Sequence, residues 1–341
     1  MFGTRMRRLA SAVLLAFCAA FVAVGCGSSD DGGSTAATSA GRGGGDAVEL
    51  TQKRDLKFAM VTHGDGGSFW SVVKRGAEEA ARGQGVELQY TESSNDPQKQ
   101  AQMIAAAVTS KVDGLAVSVP SYDAIRAELR KAVEAGIPLI TLNAGEDIYR
   151  EIGAIGHVGQ NESIAGEAVG ARLQEQGKKK VLCVIHEQSN ISLTQRCEGV
   201  RRGLTGGTVE TMQVTGTRNV ATSLTEMQSK LRADGSIDGI VTLNGEIADA
   251  AVDAIRGAHS KATLMTFDLS GPVVEAIQAG DIESAVDQQQ YLQGYLPIVM
   301  LTLYNTNLNT VGGGQPVLTG PSFVDRDNAE QVQKLASEGT R

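Results

Sequence analysis

Nine short apolar runs alternate with longer amphipathic segments along most of this chain, and no other feature restricts its fold as much. The runs are residues 56–61, 86–90, 114–119, 138–142, 181–185, 209–214, 239–243, 263–267 and 284–286. Each is continuously apolar rather than alternating, as expected of parallel strands covered on both faces. Between them, residues 69–82, 97–110, 122–134, 164–174, 220–231 and 247–255 carry helical spacing. A strand-helix repeat of about 30 residues is that of βαβ units. Pro97 after Asn95-Asp96 reads as a helix start, and Gly136 and Gly257 read as helix ends. The class is therefore α/β with parallel sheets. The series is too long for one ordinary open sheet and breaks at residues 153–160, an irregular-looking segment containing His157.

The N-terminus sets the compartment. Arg5, Arg7 and Arg8 precede an uncharged apolar stretch, residues 9–24, that is shorter than the roughly 20 residues of a bilayer-spanning helix. Residues 1–25 thus read as a signal peptide. The stretch ends at Ala23-Val24-Gly25-Cys26, which resembles the lipobox of bacterial lipoproteins, with Ala23 where leucine is usual. Cys26 is expected to carry lipid; a plain signal peptide with an incidental cysteine is the alternative. Residues 26–54, rich in Gly, Ser, Ala and Thr, read as a flexible tether. The expectation is an exported protein whose contact with the membrane is through its N-terminal lipid.

Removing residues 1–25 takes the formal charge from -8 to -11. Nucleic acid is not an expected partner, because phosphate binding needs clustered cations and the basic run Lys178-Lys179-Lys180 reads as a solvated loop. After export two cysteines remain, Cys183 on an expected strand and Cys197 on the next helix. One crossover could bring them within bonding range in an oxidising compartment; two buried apolar thiols are the other reading.

Ligands of open parallel sheets bind at the carboxyl ends of the strands, where this chain is polar. His63 follows the first strand and Asn143 the fourth. His186 and Glu187, then Asn244, Asp268 and Gln288, follow strands of the second half. Planar amides and carboxylates suit the neighbouring hydroxyls of a polyol. Phe69 and Trp70 stand just beyond the first strand loop. They can cover the C–H face of a sugar ring or simply staple the first helix to its sheet.

This ordered set resembles the type I periplasmic binding proteins, the ribose-binding-like branch that serves sugar ABC transporters, from about Leu56 to the end of the chain. The resemblance implies two doubly wound parallel-sheet, Rossmann-like lobes joined by a three-segment hinge: residues 55–157 with 289–317, and residues 158–288 with 318–341. It implies ligand contacts at His63, Phe69, Trp70, Asn143, Glu187, Asn244, Asp268 and Gln288. Two more fall on a helix carrying the family's R-x-x-G pattern, Arg196-Cys197-Glu198-Gly199: Arg196 itself, and Thr194 where the family has a second arginine. It also implies a sugar or polyol ligand, an ABC permease as partner, a monomeric state, and closure of the hinge around ligand. Asn143-Ala144 stands where the ribose-type site has aspartate and arginine, which argues against ribose itself. Pentoses, hexoses, inositol-like polyols and furanose-type signalling molecules all fit the polar set.

No cofactor, metal or catalysis is expected. His63, His157, His186 and His259 lie in separate units, and no G-x-S-x-G elbow occurs. In Gly64-Asp65-Gly66-Gly67, Phe69 falls where a dinucleotide loop needs its third glycine. A transcriptional regulator of this fold would need a helix-turn-helix before Leu56, where the signal and tether stand. A ligand sensor, or a non-sugar ligand such as a nucleoside, keeps the fold and changes the role.

Overall fold

A computed structural model describes residues 54–64 and 66–341; the expected signal segment, Cys26 and the tether before Arg54 lie outside them. The first lobe opens with four strand-helix steps and a fifth strand. These are β1 (Lys57–Thr62), α1 (Ser68–Gln84), β2 (Glu87–Glu92), α2 (Pro97–Thr109), β3 (Gly114–Ser118), α3 (Tyr122–Glu134), β4 (Leu139–Leu142), the short α4 (Tyr149–Ile152) and β5 (Gly156–Gln160). The second lobe follows with α5 (Glu162–Glu175), β6 (Lys180–Ile185), α6 (Ile191–Gly203), β7 (Thr208–Gln213), α7 (Val220–Ala233), β8 (Gly239–Thr242), α8 (Gly245–Ala258), β9 (Thr263–Phe267), α9 (Gly271–Ala279) and β10 (Ser284–Asp287). Then come α10 (Gln290–Asn307), β11 (Val317–Gly320), β12 (Ser322–Asp325) and α11 (Ala329–Ser337).

The strands form two six-stranded sheets of matching order, β11-β5-β4-β3-β1-β2 and β12-β10-β9-β8-β6-β7. Neighbouring strands run parallel except β10 and β12. The continuous apolar runs are explained by cores on both faces. On β1, Phe58 and Met60 enter the cluster beneath α1 and α10, while Ala59 and Val61 enter the one beneath α2 and α3. On β6, Leu182 and Val184 face one cluster while Val181, Cys183 and Ile185 face the other. Fully burying a side chain of leucine or phenylalanine size stabilises by ~1.5–3 kcal/mol, so these four clusters dominate the stability of the lobes. Among the described residues no helix is long and apolar enough to cross a membrane.

The α/β class and the two parallel-sheet lobes are borne out. Three strands are added to the nine expected: residues 156–160 are not irregular but form β5, fully buried between β4 and β11, and β11 and β12 lie beyond the last expected run. Two glycines, a histidine and a glutamine give it no apolar signature, and its neighbours on both sides supply the pairing instead. The chain therefore passes to the second lobe after Gln160 rather than after His157. It returns between Asp287 and Gln290, and passes again at the cis bond Gly320–Pro321, about three residues later than expected because β11 runs to Gly320. Asp96 caps α2 by accepting from the main-chain nitrogens of Gln98 and Lys99. Gly257 does not end α8; His259 does so in the left-handed conformation, and Gln228 lies against the bare Cα of Gly257.

The R-x-x-G pattern has a packing reason. A Cβ on Gly199 would stand 2.4 Å from the Ser163 carbonyl oxygen of α5, and one on Gly166 would stand 2.1 Å from that of Arg196. Gly170 and Gly203 repeat the arrangement one turn on. Bare backbones let α5 and α6 approach more closely than side chains permit. That approach brings Glu162, at the start of α5, to Arg196 on α6.

Candidate ligand-binding site

The strand ends of the two sheets face each other, and the residues that follow them enclose one cavity. The first lobe contributes His63, Phe69, Trp70 and Asn143; the second contributes His186, Glu187, Asn190, Ser192, Arg196, Asn244 and Asp268, and Gln288 stands between them. The lobes touch around it. Ile191 N donates to the Pro120 carbonyl at 3.2 Å, and Ser68 N to Glu246 Oε1 at 3.1 Å. Gln195 bonds Asp147 across the same gap. The arrangement is closed.

His63 is fixed by Ser118 at the end of β3, which accepts its main-chain N–H at 2.9 Å and meets its Nδ1 at 2.7 Å. Its Nε2 then reaches across the cleft, 3.4 Å from Asn190 Nδ2 and 3.8 Å from Glu187 Oε2. Burial works to raise the Glu187 carboxyl, but the adjoining His186 and His63 and hydrogen bonds from Asn190 and Asn95 outweigh it and hold the group below its ordinary range. Trp70 meets His63 edge-on at 4.7 Å and Phe69 at 5.1 Å. Both aromatics line the cavity and also join the core beneath α1, so one pair serves wall and staple.

Arg196 is sealed within the second lobe. Its Nε and Nη2 bind Glu162 at 2.6 and 3.0 Å, Nη1 donates to the Leu243 carbonyl at 3.1 Å, and the guanidinium lies 4.6 Å from the Phe267 ring centre. Burial opposes its charge, yet Glu162 more than compensates and its pKa rises. Asp268, on the adjacent strand end, has its carboxyl pushed up to about 7. Burial is the main cause; Arg196 and the Gln288 amide pull against it, and Glu162 and Asp287 add to it. Asn143 and Asp268 both have left-handed backbones, φ 59° and 73°. Asn and Asp tolerate that conformation better than other side chains bearing a Cβ, which suits them to these two strand ends.

Asn244 caps α8: its Oδ1 accepts from the nitrogens of Glu246 and Ile247 at 2.7 and 3.1 Å. Its Nδ2 is left as the group that can meet a ligand. Cavity polarity is thus mixed by position, with carboxylates at Glu187 and Asp268 and donors at Asn244 and Arg196.

Thr194 does not belong with these residues. It is exposed on the outer face of α6, because a position two residues before Arg196 falls on the opposite side of a helix. Ser192, four residues before Arg196, lines the cavity instead, and that spacing was the available signal. Asn190 was visible as polarity after a strand. Gln293, on α10 behind the cavity, gave no such signal. Cys183 and Cys197 are joined by a disulfide that ties β6 to α6. Among the described residues no group of three or more His, Cys, Asp and Glu could hold a metal.

The same fold recurs in a carbohydrate transporter from Acidothermus cellulolyticus whose crystal structure holds myo-inositol. It is 41% identical, covers 84% of this chain and 100% of its own, and superposes with a TM-score of 0.82. The xylose/arabinose-binding protein of Sulfolobus acidocaldarius is 22% identical over 80% of this chain and 72% of its own length. The D-apiose import binding protein of Actinobacillus succinogenes is 23% identical over 82% and 91%. The sequence pattern of the periplasmic binding protein domain matches residues 58–306, and this chain, with its two parallel-sheet lobes and the cavity between them, belongs to that family.

Proposed function

We propose that this chain is the exported binding component of an ABC importer and that it closes as a monomer on a neutral cyclitol, myo-inositol or a close relative. The observation that carries this reading is the cavity that both lobes line. Both lobes supply hydrogen-bonding groups of fixed direction, and an aromatic pair forms one wall. A ring bearing hydroxyls on every carbon meets such a surrounding from all sides. The 41% identity to a protein crystallised with myo-inositol supports the choice within the polyols. Binding without chemistry fits the site, because the Ser118 hydroxyl that meets His63 Nδ1 is fully buried and does not line the cavity. Closure would follow from contacts the ligand makes to both lobes at once. Cys26 would carry the lipid that keeps the module at the membrane.

Isothermal titration of the chain from about residue 50 with myo-inositol, ribose, xylose, glucose, an amino-acid mixture and adenosine tests the ligand. Saturable binding of myo-inositol with weaker pentoses and hexoses is expected. Stabilisation by ~2.7 kcal/mol at a hundred times the Kd would appear in parallel as a rise in Tm. Binding of adenosine or an amino acid without myo-inositol would overturn the cyclitol reading. Labelled fatty acid incorporated by the full chain and not by Cys26→Ser tests the anchor.

A further inference from the structure

Behind the cavity three amides connect the lobes through the second crossing. Asn143 Nδ2 donates to Gln293 Oε1 at 3.1 Å and lies 3.5 Å from Gln288 Oε1. Gln293 Nε2 donates to the main-chain carbonyl of Gln288 at 3.1 Å, to Gln288 Oε1 at 2.9 Å and to Thr319 Oγ1 at 3.2 Å. Gln288 Nε2 donates to Asp268 Oδ1 at 2.5 Å. Gln293 and Gln288 are both essentially inaccessible, and Gln293 does not itself line the cavity.

The direction of every bond in this relay is forced from its ends. A main-chain carbonyl can only accept, so Gln293 must turn its nitrogen to Gln288 and its oxygen to Asn143. Above about pH 7, where Asp268 is ionised, its carboxylate likewise only accepts, so Gln288 must turn its nitrogen to Asp268 and its oxygen back toward Gln293. Asn143 then has to spend its nitrogen inward, which leaves Oδ1 for the cavity. Asp268, with Oδ1 engaged, offers its other oxygen. Reversing any one amide would set oxygen against oxygen in a buried place, which is costly.

We propose that Gln293 is a positioning residue that sets hydrogen-bond polarity at the ligand, so that Asn143 and Asp268, on opposite lobes, both present acceptors. The site accordingly takes a polyol that donates a hydroxyl proton to each lobe at this edge, and it rejects analogues in which either hydroxyl has lost its proton. This rests on the cleft being a polyol site. It adds a residue outside the cavity that decides which polyols are held.

Two arms test it. The first titrates myo-inositol and its six monodeoxyfluoro analogues into the protein at about pH 8, fluorine being near the size of hydroxyl without a proton to give. Leaving one buried acceptor without its donor is expected to weaken binding ~10- to 100-fold at the ring positions facing Asn143 and Asp268. In Gln293→Leu the penalty at the Asn143 position is expected to shrink to within about threefold, because that amide can then turn over. A variant that weakens all seven ligands equally, with the fluorine penalties unchanged, would show a merely structural role and overturn the proposal. Gln293→Met, which keeps nearly the same length and removes both the acceptor facing Asn143 and the donor facing Gln288, serves if the leucine variant does not fold.

The second arm needs no ligand. Side-chain amide protons of Asn143, followed by NMR in the free protein, are expected to exchange slowly in the native chain and about tenfold faster in Gln293→Leu. Fast exchange in the native chain overturns the inference whatever the ligand. Slow exchange with no binding of myo-inositol overturns the cyclitol reading and leaves the relay standing.

Discussion

Arg196 and Glu162 meet as a two-point ion pair inside the second lobe, Nε to Oε2 at 2.6 Å and Nη2 to Oε1 at 3.0 Å, with both side chains almost sealed from solvent. Glu162 is also the first residue of α5 after the first crossing, and Gln160 donates to it at 2.8 Å. The pair therefore ties the end of the hinge strand to the wall of the cavity.

Glu162→Gln is expected to destabilise the protein by ~3–5 kcal/mol, because it leaves a buried guanidinium without its charge partner. Urea unfolding of the two proteins measures this. A loss below about 1 kcal/mol would mean the pair behaves as a surface bridge.

Asp268 gives binding a pH dependence. Its carboxyl ordinarily titrates near 3.8 and is raised to about 7 by burial. The native state thus binds more protons than the unfolded chain between those values. The contribution of this group to stability is full below about 4 and is lost as pH rises through about 7. A ligand hydroxyl donating to the carboxylate favours the ionised form. Affinity for myo-inositol is therefore expected to rise between about pH 6 and about pH 8, with protons released on binding. Calorimetry in buffers of different ionisation enthalpy detects the protons, and Asp268→Asn should flatten the profile.

Asn244 has two duties that can be separated. Its Oδ1 caps α8, so Asn244→Ala is expected to cost ~0.5–2 kcal/mol of stability along with affinity. Asn244→Asp keeps the cap and replaces the ligand-facing donor with an acceptor. It should hold its Tm and lose binding about tenfold or more. Parallel melting curves and titrations of both variants read the two effects apart.

The Cys183–Cys197 bridge closes a loop of sequence separation 14 between β6 and α6. Replacing both cysteines with alanine is expected to cost ~2–4 kcal/mol. Thiol titration of the unfolded, unreduced chain from about residue 50, which holds only these two cysteines, checks the bridge itself, and two reactive groups would rule it out.

Much of the fold and of the site is legible in the sequence, and the limits have physical causes. Apolar runs such as 139–142 announced strands because both faces of the sheet are buried. Gly156–Gln160 did not, since its burial comes from neighbouring strands rather than from its own side chains. Helix α10 was hidden by Pro297 in its interior. At the cavity, residues directly after strands could be found by position alone. Thr194 was misplaced because correspondence with a family position ignored helical phase. Gln293 was invisible because it acts through other amides from a helix whose packing no local pattern reveals.

Gly199 joins packing to the site, and its substitution separates the two. A methyl there would stand 2.4 Å from the Ser163 carbonyl oxygen and 2.8 Å from the Glu167 nitrogen, both main-chain atoms that cannot swing aside. In Gly199→Ala α6 has to move away from α5. Arg196, three residues earlier on the same helix, moves with it and loses the geometry of its bond to Glu162. Overpacking of this kind costs ~1–3 kcal/mol, and a displacement near 1 Å at a binding group is enough to weaken the ligand ~10-fold or more. Gly83→Ala is the control, because a methyl there meets nothing within 4 Å. Removing backbone freedom at that helical position should stabilise by ~0.5–1 kcal/mol and leave affinity alone. If Gly199→Ala loses stability but binds myo-inositol as tightly as the native chain, the close approach of the helices is a matter of packing alone. If both fall together, the R-x-x-G pattern holds its glycine so that its arginine can be placed.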